Sequence, residues 1–315
     1  MFAIQHVTTY RYARPVRLGP HRLMFRPRDS HDLRLLGATL TISPPAASIR
    51  WLHDVFGNSV AIAEFAGEAV ELRFQSDIVL EHYGLDSPEF PIADYARTYP
   101  FSYSVEEIPD LGRTTERHFS DPGHEVDEWA KQFAMPDPAV AHGLVETQPL
   151  LERIMHAIKR DFAYAQRDAE GMQSPAQTLA LRSGSCRDFA LFMIEAVRSL
   201  GFAARYVSGY LYDPAVDRAG AGVSGAGSTH AWVQVYLPGA GWVEFDPTNA
   251  LVGGRNLIRV AVARDPQQAM PLTGEWTGAP ADYLGMEVSV VVTAQVAAYT
   301  AGASAAEPAQ DTVRE

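Results

Sequence analysis

The sequence predicts an α+β protein in two parts: an N-terminal antiparallel β-sandwich-like domain, then a core in which a cysteine-bearing helix packs on an antiparallel sheet. Three observations predict it. From Phe2 to about Tyr103 apolar residues alternate with period two, as in "LGATLTI" and "AVELRFQSDIVLEHY". Helical spacing follows, with Leu150, Ile154, Ile158 and Phe162 recurring every fourth residue in "ETQPLLERIMHAIKRDF". Alternation then returns in "AARYVSGYLY", "THAWVQVYL" and "GWVEFD". A chain of 315 residues exceeds an ordinary single core. The expected division is a β-rich domain over 1–105, a linker with a first helix over 106–145, a core over 146–300 and a disordered Ala/Glu/Pro-rich tail over 301–315.

Composition narrows the function. Lys and Arg total 26 against 38 Asp and Glu, a formal charge of −12, so there is little phosphate-neutralising surface and no nucleic-acid partner is expected. The first twenty residues alternate polar and aromatic types and do not read as a signal peptide. No apolar run is long enough to cross a bilayer, so no membrane partner is expected either. A single cysteine forms no internal disulfide and suits a reducing compartment, which makes the cytoplasm the expected location.

In chain order, Gly57-Asn58 lies between two alternating runs and predicts a hairpin over Ile49–Phe65. The Pro- and Gly-bearing segment "EHYGLDSPEFPIADYARTYP" reads as the exit from the first domain, and "PDLGRTTERHFSDPG" as loop. "HEVDEWAKQFA" is a helix candidate. The glycine- and alanine-rich loop of 213–229 suits either a lid or a passive linker. "MEVSVVVTAQV" reads as a closing strand.

The helix from Cys186 to about Leu200 carries the lone thiol. Cys186, Phe189, Ala190, Met193, Val197 and Leu200 form one apolar stripe, with Arg187, Asp188, Glu195 and Arg198 pointing elsewhere. Ser185 or Ser183 caps the start, Asp188 stands three residues on in a capping-box position, and Gly201 closes the end. The thiol thus lies in the first turn, where unpaired amides and the macrodipole favour an anion. The same amides suit the oxyanion formed when sulfur attacks a carbonyl. A buried cysteine serving as a small apolar residue is the structural alternative.

A nucleophilic thiol needs a base, and the base needs an orienting group. In "THAWVQVYL" one face carries His230, Trp232, Gln234 and Tyr236, and the other is aliphatic core. After the turn "PGAG", the strand "WVEFD" ends at Asp246 because Pro247 cannot donate to a ladder. A three-residue connection, Pro238 to Ala240, puts Asp246 opposite Trp232 and on the face of His230; an even-numbered loop puts it on the wrong face. Singly each residue has a structural reading. Jointly, a helix-start cysteine, a strand histidine and a strand-end aspartate are a thiol acyl-transfer arrangement.

The segments "GSCRDFALFMIEAVRSLGFAARYVSGY" and "THAWVQVYLPGAGWVEFDPTN" resemble the bacterial branch of the transglutaminase-like superfamily, related in its core to papain-type cysteine proteases. "TTYRYARPVRLGPHRLMFRPRDSHDLRLL" resembles the β-rich domain that precedes this core in bacterial members. The resemblance runs from the first strand to about Asp265. It implies a papain/transglutaminase-like core with Cys186 as nucleophile, His230 as base and later acid, and Asp246 as its orienter. A second oxyanion donor upstream of the cysteine is then expected, with Gln173 and Gln177 as candidates. Trp232 and Trp242 are candidates to line the acyl groove. Two departures stand out: Ala250 occupies a position where a glycine is expected after "DPTN", which argues against a left-handed turn there, and "ARDPQQAMPL" leaves open the cleft wall over Arg264 to Pro271.

No cofactor is expected, since no phosphate-cradling or dinucleotide motif is present. His118, Asp121 and His124 lack a zinc spacing and read as loop, so no metal is expected. The expected function is cysteine-dependent acyl transfer on amide bonds of a protein or peptide through a thioester, as peptidase, amidase or transamidase. A non-catalytic peptide-binding module using the same groove is the alternative from another class, and a redox sensor is a third. Substrate and oligomeric state are not legible.

Overall fold

The computed structural model describes residues 1–84, 90–135, 144–166, 171–214 and 227–294. The expected tail, and residues 215–226 of the glycine-rich loop, lie outside these. The first half contains β1 (Phe2–Leu23), β2 (Leu33–Ser43), β3 (Ser48–His53), β4 (Ser59–Glu64), β5 (Glu68–His82), β6 (Thr98–Tyr99), α1 (Glu107–Leu111), α2 (Glu125–Lys131) and β7 (Val145–Glu146). The second contains α3 (Thr147–Asp161), β8 (Ala163–Tyr164), α4 (Pro175–Leu181), β9 (Ser183–Gly184), α5 (Cys186–Ser199), β10 (Ala204–Leu211), β11 (His230–Leu237), β12 (Gly241–Asp246), β13 (Leu251–Val252), β14 (Leu257–Ala263), β15 (Leu272–Thr277) and β16 (Tyr283–Ala294).

The fold is α+β, with a seven-stranded antiparallel N-terminal sheet. Its axis is β1, 22 residues long. Residues 2–11 of β1 lie between β5 and β16, and residues 21–23 lie between β4 and β15. The expected hairpin forms, with His53 paired to Ser59. Gly57 takes φ +75° at its turn, and the Asp54 carboxylate accepts from the amides of Phe56 and Asn58.

The linear domain division is corrected here. Residues 272–294, expected within the core, pair with β1 and belong to the N-terminal sheet. The cause is the length of β1: both of its edges need partners, and β5 satisfies one alone.

The core sheet is antiparallel in the order β13-β12-β11-β10-β14. Ala231, Val233, Val235 and Leu237 of β11 pack in one cluster with Phe189, Met193, Ala196 and Val197 of α5. In α3, Leu150, Ile154 and Ile158 are buried as the spacing predicts, together with Phe162 just past its end. Part of the opposite face of the core sheet meets the N-terminal sheet, where Tyr210, Ile258 and Val260 cluster with Ile4, Ile78, Leu80 and Val292. The free edge of β14 is met by Asn58, whose amide donates to Val262 O at 2.7 Å and whose Oδ1 accepts from Val262 N at 2.9 Å. Among the described residues no helix is long and apolar enough to cross a membrane.

The one-stripe view of α5 is also corrected. Asp188, Glu195 and Arg198 are buried with the apolar stripe. Glu195 accepts from the amides of His118 and Phe119 and from Arg198, while Arg198 also donates to Ala204 O and Arg264 O. A helix sheathed on all sides needs such partners for its polar groups. Arg198 stands twelve residues beyond Cys186, about 18 Å along the axis. The Arg264–Pro271 segment, which meets Arg198 and then Met24 through Met24 N and Pro271 O, is therefore at the end of α5 remote from the thiol, not a wall of its cleft.

Candidate active site

The site is built where α5 starts and where β11 and β12 meet. Cys186 is the first residue of α5 after Ser185 as N-cap. The Asp188 carboxylate accepts from Ser185 N at 2.9 Å and Ser185 Oγ at 2.8 Å, and its other oxygen accepts from Gln173 N at 2.8 Å. This one buried carboxylate ties the helix start to the loop before α4. The parallel pairing of Ala163 with Ser183 and of Tyr164 with Gly184 fixes the approach to the thiol. Gly184 is required there: an added Cβ would stand 2.8 Å from Asp188 Cβ.

The β11–β12 register is Val233 to Phe245 through Leu237 to Gly241, with Pro238 to Ala240 as the connection. Continued by one residue, it sets Asp246 across from Trp232, the predicted arrangement. His230 Nε2 then lies 2.8 Å from Asp246 Oδ2. A carboxylate only accepts, so Nε2 carries a proton and donates it. The other ring nitrogen, Nδ1, is buried with no hydrogen-bond partner among the described residues. Residue exposures are 6% for Cys186, 1% for His230 and 0% for Asp246, so all three are buried and the His230–Asp246 pair is shielded from solvent.

Burial opposes charge on the His230 ring, but the Asp246 carboxylate and its hydrogen bond, reinforced by the Cys186 thiol, push the imidazole up to about 10. Burial likewise opposes ionisation of Asp246, and the His230 ring, Asn249 and the Thr248 amide outweigh it, holding the carboxyl below its usual range. Thr248 N donates to Oδ1 at 2.8 Å and Asn249 Nδ2 to Oδ2 at 2.9 Å. Asn249 and Thr248 were not predicted as site residues, although the "DPTN" turn that carries them is plain in the sequence. Ala250 follows in the left-handed region at φ 56°, so the turn survives without its glycine.

Tyr164 is another residue missed. Burial pushes its hydroxyl up to about 12, with added effects from Cys186 and Asp246 that place it electrostatically beside the site. It comes from a two-residue strand, too short for periodicity to reveal.

The weaker candidates fare unevenly. Gln173 sits beside the start of α5 through its amide, and its Oε1 accepts from Thr178 at 3.1 Å, leaving the side-chain NH₂ as its donor. Gln177 is in the first turn of α4, where its Oε1 accepts from Ser174 N as part of the helix cap. Trp232 does not line a groove: it is fully buried with Val207, Leu211, Leu257 and Val262. It crosses Gly209, where a Cβ would meet its Cη2 at 2.6 Å, and its ring stacks 5.9 Å from that of His230. The face that alternation marked as cleft is covered instead. Trp242, opposite Tyr236, is at the other end of β12 from Asp246 and packs under Arg205. Asp121 accepts from the amides of Glu125, Val126 and Asp127 as a cap for α2, and no metal-holding group of His, Cys, Asp or Glu occurs among the described residues.

A thiol at a helix start, an imidazole and a buried carboxylate define a cysteine-dependent enzyme site. Residues 2–81 match the bacterial transglutaminase-like N-terminal region and residues 140–247 match the transglutaminase-like superfamily. The chain belongs to the transglutaminase-like superfamily, with the bacterial N-terminal region preceding its core. It is 28% identical over 306 residues to uncharacterized proteins of Mycobacterium bovis and Mycobacterium tuberculosis, covering 92% of this chain and 92% of each relative. An uncharacterized protein of Mycobacterium leprae is 39% identical over 107 residues, 34% of this chain and 37% of that one. The crystal structure of a candidate cysteine protease from Cytophaga hutchinsonii shares the fold with a TM-score of 0.64 at 19% identity, covering 94% of this chain and 91% of that one.

Proposed function

We propose that the protein transfers the acyl group of a protein or peptide amide to its own cysteine and then to water, with an amine as the competing acceptor. The observation that carries this reading is the buried 2.8 Å contact of His230 Nε2 with Asp246, which leaves Nδ1 for the thiol. In the first half-reaction the Cys186 proton already rests on Nδ1, in a thiolate–imidazolium pair that the raised basicity of His230 favours, and Sγ bonds to the carbonyl carbon. The carbonyl oxygen becomes an oxyanion facing the first-turn amides of α5, with the Gln173 side-chain NH₂ as a second donor. The intermediate collapses with loss of the C–N bond, the amine leaves with the Nδ1 proton, and a thioester remains. In the second half, water gives its proton to Nδ1 as it attacks the thioester. The acid departs and the thiol is regenerated.

Two measurements test this. Iodoacetamide should alkylate Cys186 rapidly at pH 6, and His230→Ala should slow that labelling by an order of magnitude or more; a rate indifferent to His230 favours an independent redox thiol. Incubation with a peptide library, with and without a primary amine, should yield cleaved or deamidated products by mass spectrometry, lost in Cys186→Ala. Incorporation of the amine in preference to water would make the protein a transamidase. Peptide retention without turnover would make it a binding module.

A further inference from the structure

Outside this site lies an open cavity of about 250 Å³ where the loop after β1 and the β3–β4 turn meet the core sheet. Its walls include Arg28, Arg205 and Arg259, with Asp29, Phe56 and Val262, and none of the residues assigned above. The three guanidinium groups are not equivalent. Arg259 is neutralised, donating to Glu244 Oε1 at 3.0 Å and to Asp32 Oδ1 at 3.2 Å. Arg205 donates its Nε to the neutral Gln234 at 2.7 Å and lies 4.1 Å from the centre of the Trp242 ring. The Glu244 oxygen that could have answered it accepts instead from Gln234 and Arg259.

Among the described residues neither Arg205 nor Arg28 makes an ion pair. Arg28 rests its Nη1 over Gly57, where a Cβ would come within 2.2 Å of it. Asp29 is the opposing charge in the wall, and its Oδ1 accepts from Leu35 N. Burial and the neighbouring Arg259 push the Arg205 guanidinium down to about 9, so it remains a cation at neutral pH but an under-compensated one. A half-buried guanidinium held flat by an aromatic ring, with the four N–H bonds of its Nη atoms uncommitted, is preorganised for a planar or tetrahedral oxyanion.

We propose that this cavity binds a small oxyanion-bearing ligand, a carboxylate or phosphate, between Arg205 and Arg28. A ligand here is distinct from the acyl substrate. The cavity shares Phe56 and Val262 with the apolar cluster that holds Trp232 against His230.

The test uses the full chain with inorganic phosphate and, separately, succinate, at an ionic strength fixed with sodium chloride. Calorimetric titration should show saturable binding of at least one probe below about 10 mM, and that probe should raise the melting temperature above the chloride control. Arg205→Gln and Arg28→Gln should each weaken binding at least about tenfold, and Asp29→Asn should not weaken it. Binding of phosphate alone or succinate alone assigns the ligand class. Binding of neither, or affinity unchanged in Arg28→Gln, whose exposed side chain can be replaced without touching the core, overturns the proposal even if Arg205→Gln fails to fold.

Discussion

At the scale of single residues, the chemistry rests on a carboxylate with several donors and an imidazole with one. Asp246 is fixed by Thr248 and Asn249 as well as by His230, so the ring is oriented by a group that cannot itself swing. Asn249→Ala removes one charge-assisted bond and should lower both turnover and the pH 6 alkylation rate by about tenfold, with KM nearly unchanged. An unchanged labelling rate would show that Asp246 holds its place without the amide. Cys186, His230 and Asp246 were legible as a set because helix start, strand alternation and an Asp-Pro strand end each leave a local mark. Tyr164 and Asn249 leave none: one comes from a strand of two residues, and the other acts through a turn whose geometry depends on the fold. Trp232 misled because alternation identifies a face but not what later covers it.

At the scale of elements, the turn after β12 carries a local strain that its sequence conceals. Ala250 at φ 56° bears a Cβ in a region that costs an L-residue about 1 kcal/mol or more. Ala250→Gly should therefore raise unfolding stability by about 0.5–1 kcal/mol in urea denaturation, and a loss would mean that the packing of its methyl against the core outweighs the backbone term. The turn persists because Asp246 must be bridged to β13, which pairs Asp246 with Leu251. Sequence periodicity found α3 and α5 and their buried stripes. It did not find that α5 is enclosed, because Glu195 and Arg198 read as solvent-facing until the 114–119 segment and Arg264 are brought against them.

At the scale of the molecule, two sheets are joined by contacts that titrate and by strands far apart in sequence. His6 is buried at that junction, between Tyr210 OH at 3.1 Å and Thr8 Oγ1 at 3.1 Å, and burial lowers it from 6.5 to about 4. The unfolded chain takes up this proton first. The contribution of neutral His6 is thus complete above pH 6.5 and is lost as the pH falls toward 4, by up to about 3 kcal/mol. His230 has the opposite sign, contributing below pH 6.5 and fading as the pH rises through about 10. Urea unfolding at pH 7.5 and 4.5 should show a smaller acid loss in His6→Gln, whose amide can meet the same two hydroxyls; equal losses would place the acid sensitivity elsewhere. A chain ended at Pro271 leaves residues 2–12 of β1 without β16, and gel filtration should find it aggregated; a stable monomer would show that β5 alone sustains the sheet. By itself the sequence determined the order of the elements, Cys186 and His230 as candidate site residues and the parity of the loop that sets Asp246 beside His230, since each depends on spacing within a few residues. Only the tertiary structure decided which strands complete the first sheet, which polar side chains are buried and which faces stay open, because these depend on contacts between segments more than 200 residues apart that no local pattern encodes.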